Sequence, residues 1–568
     1  MKWEQEIERI MHERGMDKDY RGFYPLKNLS AMCEKIYQAI HSPGDILLVQ
    51  DYDVDGVSSG YIMNELCKYL GRAPRVRFSR RFSDGYGLNP AIIDEIDNGT
   101  VIAVDSGIVA FDAVSKAKAK GLTVLIVDHH EPKRENGRII LPEADMILNP
   151  KAISDPGQFK EYCAAGLALR IAEEMVKDAE ILKKMTVFAM LGTIADVVPL
   201  VKDNRRIVVD GLKAFNEGNC GTVGLNILLG VLGLKAPYVT ERDCAFWLNP
   251  TLNAPGRVRD NGAAKAFECV SIDKAEKEYE ALSRAVELRN INDFRKRTVK
   301  TQLAIAEEII RDNQWEDKKP IIIADETFHE GIVGIIAGEI AKKYNTPAFV
   351  LTYPYKDTSH VILKGSARTS GGVNVKSLLD AVQQDLAGYG GHAGAAGLRV
   401  RPDMLDKFRL DAEKELAGHT FEKKGVRHDI EISIADIGMP LVEKVRKYAP
   451  YGEKNPPLLF KVSGIEFIPV GGSYFSYMGE DNEHFRMTAS NGVKIVGFRI
   501  AEKLSEMGVN VVKAKEFDFV ADAVGIVSLK YYNEKVEFQL EVEDIVFYRR
   551  KQKKTEVYQS FENLLAFC

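Results

Sequence analysis

The chain has 568 residues, too many for one hydrophobic core, so three to five domains are expected. With 28% charged and 45% hydrophobic residues it has the composition of a soluble globular protein, and a net charge of −5 excludes coating nucleic acid by bulk charge but leaves room for a local basic groove. No run approaches the roughly 18 uncharged apolar residues of a membrane span, and the charged, amphipathic start MKWEQEIERIMHERG lacks the apolar core of a signal peptide, so no membrane association and a cytoplasmic location are expected. The seven cysteines are scattered, without a CxxC, as free thiols in a reducing compartment would be.

Residues 1–40 read as a helical extension. From there to about 210, strand-like and helix-like segments alternate, which predicts a doubly wound α/β domain over 41–210. Its strands are short runs rich in Val, Ile and Leu at 45–50, 100–104 and 122–127. Each stops on acidic or imidazole side chains: Asp51-Tyr52-Asp53-Val54-Asp55-Gly56, Asp105-Ser106-Gly107 and Asp128-His129-His130. Five arginines (Arg72, Arg75, Arg77, Arg80, Arg81) precede Gly85-Tyr86-Gly87, and 183–192 reads as an apolar helix leading to Asp196. Helices broken by Gly and Pro follow, and a charged stretch from Asp273 to Asn313 predicts a helix of ~60 Å that bridges two domains within 211–316. A second α/β unit is expected over 317–425, with Lys364 and Arg368 flanking Gly365-Ser366 as phosphate contacts and the glycine-rich stretch 390–397. Over 426–568, short alternating runs predict a small β-barrel, an OB-fold, ending in the basic YRRKQKK. Tyr474, Phe475, Tyr477, Phe485 and Phe498 are its candidates for base stacking, Tyr474 and Tyr477 first among them.

In open parallel sheets the ligand crevice lies at the carboxyl ends of the strands. Three strand ends then place five carboxylates and two imidazoles around one crevice, which calls for cations to neutralise them. Alternate residues of an extended segment point the same way, so Asp51, Asp53 and Asp55 are expected to converge there. Hard carboxylates with one imidazole suit Mn²⁺ or Mg²⁺, and two such ions would clamp a phosphoryl oxygen and activate a water. Successive small residues at 390–397 can offer backbone N–H groups to a phosphate, with Gly391 and His392 as contacts.

The motifs containing Asp51–Gly56, Asp105-Ser106-Gly107, Asp128-His129-His130 and Asp196 follow, in order, those of the DHH phosphoesterase superfamily, and 390–397 resembles the GGHxxAAG signature of its DHHA1 companion domain. Further segments, Arg81–Asn89, Asp196–Leu200, Asn253–Arg257, Phe328–Ile335 and Tyr451–Pro456, resemble the single-stranded-DNA exonucleases of that superfamily over roughly residues 40–550. The resemblance implies 5′→3′ hydrolysis of single-stranded DNA with two divalent cations, Mn²⁺ or Mg²⁺. It implies one cation held by Asp55, Asp105, His129 and Asp196, and a second by Asp53 and the bridging Asp105. Asp51 would orient a ligand or water, His130 would contact the scissile phosphate or leaving oxygen, and Arg81, Arg257, Arg368, Gly391 and His392 would hold the strand. Val49 stands where many relatives place a further metal-binding His, so the second cation has fewer protein ligands. A single-stranded-DNA-binding protein and a helicase are the partners implied for an expected monomer. A phosphodiesterase for short oligonucleotides or cyclic dinucleotides, a pyrophosphatase, and a non-catalytic scaffold remain as alternatives.

Overall fold

The computed structural model describes residues 2–16, 23–153, 155, 157–218, 221–354, 359, 361–421, 427–479, 482–509, 516–532 and 535–549. The chain forms two compact units, one of residues 20–422 and one joining 1–19 to 423–568.

The larger unit opens with a five-stranded parallel sheet of β1 (Asp45–Gln50), β2 (Arg75–Phe78), β3 (Gly99–Val104), β4 (Thr123–Val127) and, after a separate hairpin of β5 (Lys133–Glu135) and β6 (Arg138–Ile140), β7 (Met146–Leu148). The strand order is β2-β1-β3-β4-β7, so the chain reverses its direction of winding between β1 and β3. Alternate residues feed two cores, as a doubly wound sheet requires. Leu48, Ile102, Val104, Leu125 and Val127 meet helices Leu29–His41, Val54–Tyr69 and Ala164–Met175 on one face, while Leu47, Val49, Val101, Ala103, Val124 and Ile126 meet Ile92, Ile93 and helix Phe111–Ala119 on the other. Val49 is therefore core.

The predicted bridging helix is Glu278–Asp312, 35 residues, preceded by a short turn of 3₁₀ helix (Ala275–Lys277). At 1.5 Å per residue it spans ~50 Å. Ala285 and Leu288 pack into the first core, while Ile291, Ala306 and Ile310 pack into a second core with Ile321, Ile323, Phe328 and Ile336. That core underlies a mixed sheet ordered β11-β12-β10-β9-β8, made of β8 (Ile321–Ala324), β9 (Ala348–Thr352), β10 (Leu363–Arg368), β11 (Gly388–His392) and β12 (Ala395–Val400). The glycine-rich stretch expected to form a phosphate-binding nest is instead the edge hairpin β11–β12, with Gly391 opposite Ala396 and His392 opposite Ala395. In a strand, successive N–H groups point to opposite sides, so the row of converging donors does not form.

In the smaller unit, β14 (Phe460–Ile468), β18 (Phe519–Tyr532), β19 (Lys535–Arg549), β17 (Lys494–Gly497) and β16 (His484–Ala489) pair in that order, and β14 also pairs with β16. That last pairing closes a five-stranded barrel, which removes its edges. β13 (Ile430–Ile432) and β15 (Ser476–Met478) extend the sheet. Residues 1–40 are not one extension: helix Lys2–Glu13 belongs to this unit, where Trp3 donates to Asp436 (3.3 Å) and Arg14 to Asp429 (3.4 Å), whereas Leu29–His41 packs on the parallel sheet. Phe485 is barrel core, Tyr474 stacks on Phe517 at 4.0 Å, and Tyr477 and Phe498 are exposed. The basic tail beyond Arg549 lies outside the described residues.

Candidate metal centre

The carboxyl ends of β1, β3 and β4 meet at the switch between β1 and β3, and the acidic motifs lie there. Asp51 follows β1 directly, but Asp53 and Asp55 do not continue an extended segment. Asp53 caps helix Val54–Tyr69, accepting from the N–H groups of Asp55 (3.0 Å) and Gly56 (3.1 Å), so Asp55 sits in the first helical turn. The three carboxylates converge through a strand-to-helix turn rather than through strand alternation. Asp55 accepts from the N–H groups of Ala164 (2.7 Å) and Ala165 (2.9 Å), so the N-terminus of a second helix fixes its direction. Gly192 makes room for this arrangement, because a Cβ there would stand 2.6 Å from Asp55 Oδ1 and 2.5 Å from Ala165 Cβ.

Three groupings of metal-ligand type result: Asp51, Asp53 and Asp105; Asp55, His129 and Asp196; and Asp105, His129 and His130, the ligand atoms of each within 4.8 Å of one another. Asp105 belongs to two of them. Its backbone is left-handed (φ 58°), as is that of Val197 beside Asp196 (φ 55°), a conformation costly for a β-branched residue and frequent where geometry serves a site. His129 Nε2 lies 3.2 Å from Asp105 Oδ1 and 3.7 Å from Asp55 Oδ2, and Nδ1 lies 3.6 Å from Asp196. Both Asp105 Oδ1 and His129 Nε2 are buried without a hydrogen-bond partner. Buried polar atoms are normally satisfied, and a missing ion is one of the few physical reasons for an orphaned pair. The donor set of carboxylates with one imidazole fits a divalent cation of the Mn²⁺ or Mg²⁺ kind.

The two histidines differ in charge. Burial, and then the neighbouring His130, push His129 down to about 3, so its imidazole is neutral and keeps a lone pair for a metal. For His130 burial works in the same direction, but the Asp128 hydrogen bond outweighs it and raises the ring to about 9, leaving it a charged donor. Asp128 Oδ1 accepts from His130 Nδ1 (2.8 Å) and from the N–H groups of His129 (2.7 Å) and His130 (3.1 Å), and its Oδ2 accepts from Ile108 N–H (3.0 Å). Tyr86 reaches His130 Nε2 at 3.1 Å and donates to the Asp105 carbonyl at 3.2 Å. The acids are pushed the other way: burial, and then repulsion from Asp53, raise Asp51 to about 7 and Asp55 to about 6. Burial, and then Asp55, hold Asp105 and Asp196 well above the usual carboxylate range.

The basic side chains sort into structural and site groups. Arg72 and Arg75 bond to backbone carbonyls, and Arg77 is tied to Asp84 and Glu95. The Arg81 guanidinium lies over the Tyr52 ring (3.8 Å to the centroid) and donates to Gly256 O (2.9 Å), which brings it to Arg257. Arg257 is lowered to about 10, by burial first and then by Arg81, with Asp53, Arg295 and Arg368 also acting on it. Lys364 is paired with Glu330, so of the two expected phosphate contacts around Gly365 only Arg368 faces the centre. His392 is lowered by burial, then by Arg368, Lys151 and His130. Arg81, Arg257 and Arg368 thus form a positive wall beside the carboxylates, with the uncharged imidazole of His392 next to Arg368, while Gly391 is an exposed strand position. Lys151 and Arg295 were missed by reading motifs, although Lys151 stands two residues past Asn149, at another carboxyl strand end.

A doubly wound sheet with this strand-end cluster, facing a second lobe across a positive wall, defines the class to which the comparisons also point. The profile of the DHH family, N-terminal domain, matches residues 45–193, that of the DHHA1 domain residues 318–418, and that of the RecJ OB domain residues 428–544. The single-stranded-DNA-specific exonuclease RecJ of Bacillus subtilis (strain 168) is 29% identical over 538 residues, covering 93% of this chain. RecJ of Escherichia coli (strain K12) is 28% identical over 78% of this chain and 80% of its own length. This chain spans 64% of the Bacillus protein. The crystal structure of RecJ from Thermus thermophilus in complex with Mn²⁺ superimposes with a TM-score of 0.72 at 23% identity, over 96% of this chain and 76% of that one. The chain thus carries DHH, DHHA1 and RecJ OB domains in that order and is similar to RecJ over most of its length.

Proposed function

We propose that the chain is a single-stranded-DNA-specific exonuclease of DNA repair and recombination that hydrolyses phosphodiester bonds from the 5′ end and releases 5′ mononucleotides. The observation that carries this reading is the orphaned pair Asp105 Oδ1 and His129 Nε2, buried among carboxylates beside a wall of arginines. Asp55, Asp105, His129 and Asp196 would hold one divalent cation, and Asp53 with Asp105 a second, Asp51 standing beside the latter. Bound cations of this kind supply a water of lowered pKa and neutralise charge on the phosphoryl oxygens. The chain's own groups do the rest. Ser79 donates to Asp51 (2.9 Å) and fixes its carboxylate. Protonated His130, held by Asp128, offers a proton or a charged hydrogen bond to the phosphate or the leaving oxygen. Arg81, Arg257 and Arg368 neutralise and align the strand's phosphates, and His392 offers them a hydrogen bond as a neutral imidazole. The curated relatives named as single-stranded-DNA-specific exonucleases and the Mn²⁺-bound Thermus structure support the same reading. A monomer working with a single-stranded-DNA-binding protein and a helicase completes the proposal.

The test is digestion of a long single strand in Mn²⁺, labelled separately at each end, beside its duplex and an RNA copy, with Asp105→Ala as control. Early 5′ mononucleotides from single-stranded DNA alone, lost in the variant, are expected. An intact long strand with cleavage of a trinucleotide would overturn the reading in favour of a short-oligonucleotide phosphodiesterase.

A further inference from the structure

Outside the metal centre, an open cavity of about 630 Å³ runs along helix Glu278–Asp312, bounded by helix Gly262–Val270 and the end of helix Asn249–Val258. Its volume lies in the range of small-ligand sites, ~300–1,000 Å³. Ser283, Glu287, Asn290 and Phe294 line it at spacings of four, three and four residues, which makes one stripe of the long helix. Val286 and Ile291 add apolar lining, and Phe294 is the aromatic side chain of the set, 45% exposed. Lys265 is paired with Glu287 (2.7 Å), which cancels two of the charges. Arg259 remains, and among the described residues nothing pairs with its guanidinium. An exposed aromatic face beside an unpaired arginine is the combination that nucleotides use, stacking on one and placing a phosphate on the other.

The cavity lining also adjoins the positive wall along the chain. Arg259 is two residues past Arg257, so their Cα atoms are at most ~7 Å apart. Asp260 accepts from the N–H groups of Phe82 (3.1 Å) and Ser83 (3.0 Å), which ties this loop to the one bearing Arg81. Arg295 acts on Arg257, while its neighbour Phe294 stands in the cavity.

We infer that this cavity is a nucleotide subsite in which the base stacks on Phe294, a phosphate pairs with Arg259, and Asn290 serves the sugar or the base edge. What it does for the enzyme rests on the nuclease reading. Its occupant is either a nucleotide of the bound strand or a released mononucleotide, and binding measured in EDTA on the full chain distinguishes them. Arg259→Ala and Phe294→Ala are compared with Arg259→Lys and Phe294→Tyr, using a labelled 20-nucleotide oligo-dT and, by calorimetry, thymidine 5′-monophosphate. A strand subsite gives at least ~5-fold weaker oligo-dT binding in the alanine variants, restored by the conservative ones. A mononucleotide subsite leaves oligo-dT binding unchanged, and wild-type binding of the monophosphate is lost in the alanine variants. Alanine variants that bind both ligands as the wild type does, or a wild type that binds neither, overturn the subsite. A wild type that binds through Phe294 and Arg259 but cleaves no long strand leaves the subsite standing and sinks the nuclease reading instead.

Discussion

Asp105 and His129 each join two of the three candidate ligand groupings, so replacing either should cost more than replacing an acid that belongs to one. Outer-shell partners of a metal typically cost 10–100-fold, and a shared ligand more. Asp105→Asn is therefore expected to lower both Mn²⁺ affinity and hydrolysis by more than ~100-fold, read by calorimetry and by release of labelled nucleotide. The raised acids add a pH dependence. With Asp51 raised to about 7, Asp55 to about 6, and Asp105 and Asp196 held well above the usual carboxylate range, the metal-free fold carries protons near neutrality that the unfolded chain has lost. The folded state then binds more protons than the unfolded one, so metal-free stability falls as pH rises from about 4 through 7. Mn²⁺ binding must expel those protons. A melting temperature that drops between pH 5 and 8 without metal, and holds with it, is the expected result; equal slopes would remove the coupled cluster. The candidate ligands were legible because their motifs follow apolar runs. Asp128 as the anchor of His130, and Lys151 and Arg295 as neighbours of the wall, were not, since their contacts come from packing between elements distant in sequence.

At the scale of elements, two helix N-termini place the acids: Asp53 caps one, and the other aims Asp55. Gly192→Ala puts a methyl group against Asp55 Oδ1 and Ala165 Cβ, so the carboxylate must move. Overpacking of this kind costs ~1–3 kcal/mol, and the expected signature is a modest loss of thermal stability with Mn²⁺ affinity down ~10–100-fold. Unchanged affinity would show that the site does not depend on this close approach. The strands were readable because buried parallel strands leave uninterrupted apolar runs, and the long helix because no proline interrupts it. The glycine-rich stretch misled because glycine is equally at home in a nest and in an edge hairpin, and pairing with β12 decides between them. Helix Lys2–Glu13 has an amphipathic stripe that says it packs, but not on what.

Across the whole molecule every proposed metal ligand lies in the 20–422 unit and none in the unit that joins 1–19 to 423–568. Ligand binding stabilises only what it binds. Calorimetric melting is expected to resolve two transitions, of which only one moves upward with Mn²⁺; a single transition that moves as a whole would show that the units unfold together. The division of the chain also has a consequence during synthesis. Trp3, Ile7, Ile10 and Met11 are made about 420 residues before their partners, which lie beyond residue 423. At roughly 5–20 residues per second, the ribosome takes about 20–80 s to cover that interval. Throughout that time the apolar face of helix Lys2–Glu13 is without its native contacts while the 20–422 unit is being completed. The barrel unit therefore cannot be completed until the residues beyond 423 have been made, and an alteration of helix Lys2–Glu13 burdens the later of the two units to fold rather than the earlier.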